Sequence, residues 1–151
     1  MTTDKRWIKE KTSDPEMCKK CEGKCCKQCG CSYFPEDLNM TFESIAKGIR
    51  ERRISIDRLD HLDSFYNKLD EPVYYLRASN ENEKYVAYGS RGKCVFLTEE
   101  GCKLTYETRP SGGRYVVPFW SGCYSLYSSQ EFINKWMPYQ ELLKELIKFF
   151  S

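Results

Sequence analysis

The sequence predicts a small α+β domain with a short antiparallel sheet, two helices in its N-terminal half and one C-terminal helix. Three observations predict this class. Apolar residues recur at helical spacing between residues 41 and 69, aromatic and β-branched residues cluster between residues 73 and 97, and six of the nine cysteines fall between residues 18 and 31. Because 151 residues is the length of one domain, we expect a single domain over residues 1–151 that the cysteines staple together.

Both helices of the N-terminal half are predicted from their apolar faces. Thr41 can cap the first helix, whose apolar side chains are Phe42, Ile45, Ala46 and Ile49. The second helix is predicted over residues 56–69 and ends before Pro72. Its apolar stripe consists of Ile56, Leu59, Leu62, Tyr66 and Leu69.

The pattern becomes extended after Pro72. Residues 73–78 and 84–89 are rich in aromatic and β-branched side chains, and the polar residues between them predict a hairpin. A short apolar run over residues 94–97 leads into a turn at residues 98–101. Residues 114–120 are predicted to form another short strand that Pro118 ends.

The chain is predicted to close on a helix. Ser128 and Glu131 have the spacing of a capping box, and Pro138 is expected to kink the helix or to start its last segment. The apolar face that would dock on the sheet consists of Leu142, Leu143, Leu146, Ile147 and Phe150.

The N-terminal residues predict the compartment. Met1–Glu10 has no apolar central run and no small-residue cleavage site, so residues 1–15 are expected to be a polar leader and not a secretory signal. No stretch approaches the roughly 18 apolar residues that a membrane span needs. We therefore expect a cytoplasmic protein with no membrane partner, whose thiols stay reduced and can act as metal ligands.

Cysteine spacing predicts a metal-binding segment over residues 18–31. The six cysteines of this segment are Cys18, Cys21, Cys25, Cys26, Cys29 and Cys31. The pair Cys18-x2-Cys21 can direct two sulfurs to one ion at about 2.3 Å each. Because thiolates are soft ligands, zinc is the expected cofactor, with iron or an iron–sulfur cluster as the alternative.

A second group of cysteine ligands is predicted between residues 94 and 123. Cys94 and Cys102 flank the predicted turn and can supply a second pair of ligands, and Cys123 lies further along the chain. A four-thiolate site built from both groups would pin the N-terminal segment to the sheet. Its ligands would be Cys18, Cys21, Cys94 and Cys102.

Charge and histidine content argue against two other classes of protein. The formal net charge of +2 is small beside that of basic nucleic-acid-binding domains, so nucleic acid is not expected as a partner. The lysines between the thiols are expected instead to lower the thiol pKa and to offset the charge of a sulfur-rich site. With His61 as its single histidine, the chain is a poor candidate for histidine-based nucleophilic catalysis.

Several short motifs follow one another along the chain. They are Cys18-x2-Cys21-x3-Cys25-Cys26, Gly92-Lys93-Cys94-Val95-Phe96-Leu97, Gly101-Cys102 and Arg109-Pro110. In this order, over about residues 18–118, the chain resembles the CxxCxxCC (YkgJ-type) family of zinc- or iron-chelating domains. The resemblance implies that the metal ligands are Cys18, Cys21, Cys25, Cys26, Cys94 and Cys102.

The chain departs from this family at one position. The family has a further cysteine shortly after the Arg-Pro motif, where this chain has Gly113. We expect one of the three cysteines outside the implied set to replace it, and these are Cys29, Cys31 and Cys123.

The expected function is that of a cytoplasmic metal-binding protein that acts as a binding or accessory module. One alternative is an enzyme, either an iron–sulfur protein or a component of a protein-modifying system, because flagellin lysine N-methylases contain a similar cysteine segment. Another is a host-directed interaction protein whose metal only holds its shape. The sequence thus leaves open whether the protein is an enzyme, and a protein partner is compatible with each alternative.

Overall fold

The structure, a computed structural model, describes residues 31–63, 66–86, 88, 92–99, 101–104, 108, 110–111, 116–119, 122–125 and 128–151. Within these ranges the chain forms three α-helices, three two-stranded antiparallel sheets and two 3₁₀ turns. The predicted α+β class and the antiparallel pairing of its strands are therefore confirmed.

The first predicted helix is confirmed as α1, Phe42–Arg50. Thr41 caps it as expected, since its Oγ1 accepts a hydrogen bond from the Ser44 amide at 3.3 Å. The buried face of α1 lies so close to the sheet that a Cβ added at Gly48 would stand 2.5 Å from Cδ1 of Ile54. A methyl group at this position would require the end of the Ile54 side chain to move.

A long hairpin forms the centre of the fold. Strand β1, Ile54–Asp63, pairs antiparallel with β2, Tyr66–Ala78. Successive side chains of a strand point to opposite faces, so each strand presents one apolar and one polar set. The buried apolar set includes Ile54, Ile56, Leu76 and Ala78. The polar set is also buried and includes Ser55, Asp57 and Arg77.

The predicted second helix over residues 56–69 is wrong, because the described residues of this range, 56–63 and 66–69, belong to β1 and β2. The helical stripe competes with a period-two pattern that begins earlier, at Ile54 and Ile56. Tertiary contacts favour the strand, since Asp57 is 4% exposed and forms a 2.8 Å ion pair with Arg77 of the neighbouring strand. The N-terminal half of the described chain therefore contributes α1 and a hairpin, where two helices were expected.

The predicted hairpin between residues 73–78 and 84–89 is also wrong. Residues 73–78 form the end of β2 and pair with β1, with Leu59 opposite Val73 and Ile54 opposite Ala78. Val86 reaches the sheet from the other side and forms an isolated parallel bridge with Ile56. The sequence predicted the extended backbone of residues 73–78 and assigned it the wrong partner.

Both outer edges of the hairpin are covered at its open end. On β2, Ser32 bridges Arg77, and the amide of Tyr33 donates to the carbonyl of Leu76 at 2.9 Å. On β1, the amide of Ile56 donates to the carbonyl of Tyr85 at 3.3 Å. The sheet is therefore effectively four-stranded over this short stretch.

Two smaller hairpins follow. Strand β3, Leu97–Thr98, pairs with β4, Gly101–Cys102, which confirms the predicted turn. Strand β5, Val116–Phe119, confirms the predicted strand of residues 114–120, although Pro118 lies within it and does not end it. Strand β6, Gly122–Ser125, pairs with β5 and was not predicted.

The C-terminal helix forms in the two segments that Pro138 predicts. Helix α2, Ser129–Trp136, is followed by a 3₁₀ turn, Met137–Tyr139, and by α3, Gln140–Phe150. Ser128 caps α2, since its Oγ accepts from the Glu131 amide at 3.1 Å. Leu143 and Leu146 of α3 are fully buried, so the predicted face docks as expected. Within the described ranges, no helix combines the length and the apolar character needed to cross a membrane.

Trp136 joins α2 to the segment that covers β2. Its indole is fully buried, and its Nε1 donates to the carbonyl of Tyr33 at 3.1 Å. We expect Trp136→Phe to lower the free energy of unfolding by about 2 kcal/mol, because it leaves a cavity and a buried carbonyl without its donor. Urea denaturation followed by circular dichroism measures this loss. Met137→Leu, at the next and 53% exposed position, is the control and should leave stability unchanged.

Candidate functional site

Two of the predicted cysteine ligands attach to the same end of β2. The carbonyl of Cys31 accepts from the amide of Ala78 at 2.8 Å. Cys94 forms an isolated antiparallel bridge with Asn80, and the amide of Val95 donates to the carbonyl of Ser79 at 3.0 Å. Cys31 and Cys94 are 63 positions apart in the chain, but the residues with which they pair, Ala78 and Asn80, are only two positions apart.

Tyr33 shows that both thiols lie near one buried group. It is 7% exposed, and burial is the largest cause that raises the pKa of its hydroxyl above the usual range of a tyrosine. The Arg53 guanidinium lowers this pKa, while the charges of Cys94 and Cys31 raise it further. The pKa of the Tyr33 hydroxyl therefore depends on the charges of both cysteines.

A buried ion cluster lies on the polar face of the hairpin beside these cysteines. Arg77, which is 1% exposed, donates from Nε to Asp57 Oδ2 at 2.8 Å. Its Nη1 and Nη2 donate to Glu83 Oε1 and Oε2 at 2.7 and 2.8 Å. The two-point contact with Glu83 fixes the plane of the guanidinium. Arg77 thus joins β1 to the loop that follows β2.

Glu83 extends the cluster to the backbone that holds Cys94. Its carboxylate also accepts from the amide and from Nδ2 of Asn80, both at 3.0 Å. The bridge between Asn80 and Cys94 then continues with a 2.8 Å hydrogen bond from the Glu81 amide to the Lys93 carbonyl. The position of Cys94 therefore depends on four hydrogen bonds that converge on one carboxylate.

A second anchor connects the Arg-Pro region to the segment after Cys31. Asp37 accepts from the amide and the hydroxyl of Ser111, both at 2.8 Å, and from the amide of Phe34 at 2.8 Å. Ser111 is 1% exposed, so this contact is part of the core. The region around Ser111 thus contacts the short segment of residues 31–37.

The structure describes four of the nine predicted cysteines. Cys31 is half-buried, and Cys94 is 4% exposed. The backbone of Cys102 pairs with Leu97 in β4, and that of Cys123 pairs with Pro118 in β6. The other five lie outside the described residues, and they are Cys18, Cys21, Cys25, Cys26 and Cys29. Among the side chains that the structure does describe, no three histidine, cysteine or carboxylate groups converge on a metal position.

The residues that organise this region were not predicted from the sequence. Arg77 was expected in an extended run and Asp57 in the second helix, which does not form, and no contact was predicted between them. The alternation Ile54-Ser55-Ile56-Asp57 is the signal that could have placed Asp57 in a strand. Arg77 lies between two core residues, so a buried acidic partner could have been expected for it.

Comparisons of the chain with protein-family models, with curated proteins and with solved structures find no match. The resemblance to the CxxCxxCC family and its ligand set therefore stays a prediction.

Removal of Arg77 should test how much of the fold the buried cluster supports. We expect Arg77→Met to lower the free energy of unfolding by about 3–5 kcal/mol, because it leaves two buried carboxylates without their cation. The triple variant Arg77→Met/Asp57→Asn/Glu83→Gln removes all three charges and should lose less stability than Arg77→Met alone. Urea denaturation of both proteins compares the two. Equal stability of wild type and Arg77→Met would show that the cluster contributes nothing.

Proposed function

We propose that this protein binds zinc or iron through clustered cysteine thiolates and acts as a binding or accessory module. The observation that supports the proposal is that Cys31 and Cys94 are attached near the same end of β2, Cys31 through Ala78 and Cys94 through Asn80. Cys31 is the last cysteine of the segment 18–31. Cys31 and Cys94 are therefore the two described cysteines that we propose as members of a shared metal site.

The chemistry of the donors fits such a site. Thiolates favour zinc and iron, and a four-coordinate structural site needs four of them. Cys31 and Cys94 can supply two, and the remaining ligands would come from the cysteines of residues 18–29 and from Cys102. By analogy with a covalent cross-link, a metal that joins positions 31 and 94 would stabilise the fold by about 4 kcal/mol, through the lost entropy of the unfolded chain.

Cys31 is the cysteine that we propose as the substitute for the one replaced by Gly113. Ser111, two positions before Gly113, is hydrogen-bonded to Asp37 and lies beside the segment that begins at Cys31. The Cys31 thiol would therefore enter the proposed metal site from the same side as the additional cysteine that the family has at the position of Gly113. This step depends on the family resemblance, whereas the attachment of Cys31 and Cys94 near the end of β2 does not.

The alternative functions differ in the metal that they require. An iron–sulfur enzyme would be coloured, with absorption at roughly 400 nm that bleaches on reduction. A closed zinc site would be colourless and would favour the accessory or interaction role. A spectrum of protein purified without oxygen therefore separates the enzyme alternative from the other two.

Metal content of single cysteine variants tests the proposal. We expect wild-type protein to contain stoichiometric zinc or iron, and Cys31→Ser and Cys94→Ser each to lose most of it. Because site formation and folding are coupled, each loss should also lower the free energy of unfolding by about 4 kcal/mol. Elemental analysis and urea denaturation, both done under anaerobic conditions, measure the two effects.

Ser32→Ala is the matched control for this experiment. It changes a side chain in the same bridge to β2 without removing a thiol, so full metal content is expected. Metal-free wild-type protein would contradict the proposed function itself. Full metal content in both Cys31→Ser and Cys94→Ser would instead show that the metal is held by other cysteines.

A further inference from the structure

A groove of about 620 Å³ lies on the opposite side of the hairpin from the segment of residues 31–33. It runs between the end of α1, the loop of residues 82–88 and the end of α3. Its cationic side chains are Arg52 and Lys84, and its apolar and aromatic side chains are Tyr85, Val86, Tyr88 and Phe150. Glu83 also lines it, but the Glu83 carboxylate is engaged by Arg77 and Asn80.

Arg52 occupies a backbone position that normally favours glycine. It has a φ of 61°, in the left-handed region, immediately after the end of α1. Its amide donates to the carbonyl of Ile49, and that of Arg53 donates to the carbonyl of Gly48, both at 3.0 Å, which defines a Schellman motif. A side chain costs about 1 kcal/mol or more at this position of the motif. The chain nevertheless places an arginine at the mouth of the groove.

Two arginines near this groove lie over aromatic rings. Arg52 donates from Nη1 to the carbonyl of Glu83 at 2.6 Å, and its guanidinium lies 4.2 Å from the ring centre of Tyr85. Arg58 lies 4.5 Å from the ring centre of Tyr88. These contacts restrict the motion of the guanidinium groups before any ligand binds, which lowers the entropic cost of using their remaining N–H groups.

The two cationic side chains of the groove form no ion pair with any described residue. Neither Arg52 nor Lys84 has a described carboxylate within ion-pair distance. The exposed carboxylate of Glu51 pairs with Arg53 at 2.6 Å, and that of Glu81 lies 3.8 Å from Lys93. Both cations of the groove therefore face solvent with their charge available to a partner.

We infer that this groove binds an acidic, partly apolar segment of a partner protein. Carboxylates of the segment would pair with Arg52 and Lys84, since arginine can offer two parallel N–H donors to one carboxylate. Apolar side chains of the segment would cover Val86 and the aromatic end of α3, where Phe149 is 55% exposed. The inference is independent of the proposed metal site.

The packing of the rings favours carboxylates over the bases of a nucleic acid. Base stacking needs open ring faces. Tyr85 is already in contact with Arg52 and with Phe150, whose ring centre is 5.1 Å away. Tyr88 is in contact with Arg58 and with Tyr74, whose ring centre is 6.1 Å away. The groove thus offers charge and apolar contact but few exposed faces for stacking.

Fluorescence anisotropy with a short labelled peptide of alternating glutamate and leucine tests the inference. The full chain should bind this peptide at low ionic strength, and binding should weaken as salt is added. Arg52→Gly should weaken binding by about tenfold, because it removes one charge–charge contact. The Arg52→Gly variant should retain the fold, because glycine adopts the left-handed conformation without strain. Lys84→Gln tests the second cation without a backbone change, with the same expected loss.

Lys47→Gln is the matched control, because Lys47 is an exposed cation of α1 outside the groove lining. Its affinity for the peptide should equal that of wild type. Equal affinity of wild type, Arg52→Gly and Lys84→Gln would overturn the inference, as would the absence of any binding by wild type. Tighter binding of a dT oligonucleotide, or self-association that the two groove variants abolish, would also overturn it.

Discussion

The contact of Arg77 with Asp57 and Glu83 is the constraint on which the rest of the structure depends. Removing a guanidinium and two carboxylates from water costs several kcal/mol per ion, so the cluster is stable only while every member keeps its partners. Each partner comes from a different place: Asp57 from β1, Arg77 from β2 and Glu83 from the loop beyond. The hairpin register and the course of the loop are thereby determined together, because a shift of either would bury an uncompensated charge.

This arrangement gives the two sides of the hairpin different chemistry. At the end of β2, backbone hydrogen bonds attach the segments that contain Cys31 and Cys94. At the β1 edge, the same loop continues to Tyr85 and forms one wall of a groove with exposed cations. Because Glu83 contributes its carboxylate to the first side and its carbonyl to the second, the loop of residues 79–86 connects both. Cys94 and the groove thus depend on the same loop.

The sequence predicted the elements whose signals are local. Thr41 and Ser128 marked helix starts through their caps, and Pro138 marked the break between α2 and α3. The helix prediction for residues 56–69 was wrong because Ile56, Leu59 and the later apolar residues fit a helical stripe. The strand is instead favoured by an ion pair between residues that are far apart in the sequence, which local sequence patterns do not reveal. For the site, the cysteine pattern drew attention to Cys31 and Cys94, but their attachment to the same strand end depends on pairing between distant segments. The ligand assignments themselves remain predictions.

The covering of β2 by residues 31–33 has a consequence for the behaviour of the protein in concentrated solution. The carbonyl of Leu76 and the amide of Ala78 hydrogen-bond to this segment. If the segment were released, these groups would form the unpaired edge of a long strand with aromatic side chains at Tyr74 and Tyr75, a template for pairing with another chain. The short bridge at Ser32 thus protects the edge of β2. While residues 31–33 stay attached, this edge cannot pair with a strand of another chain.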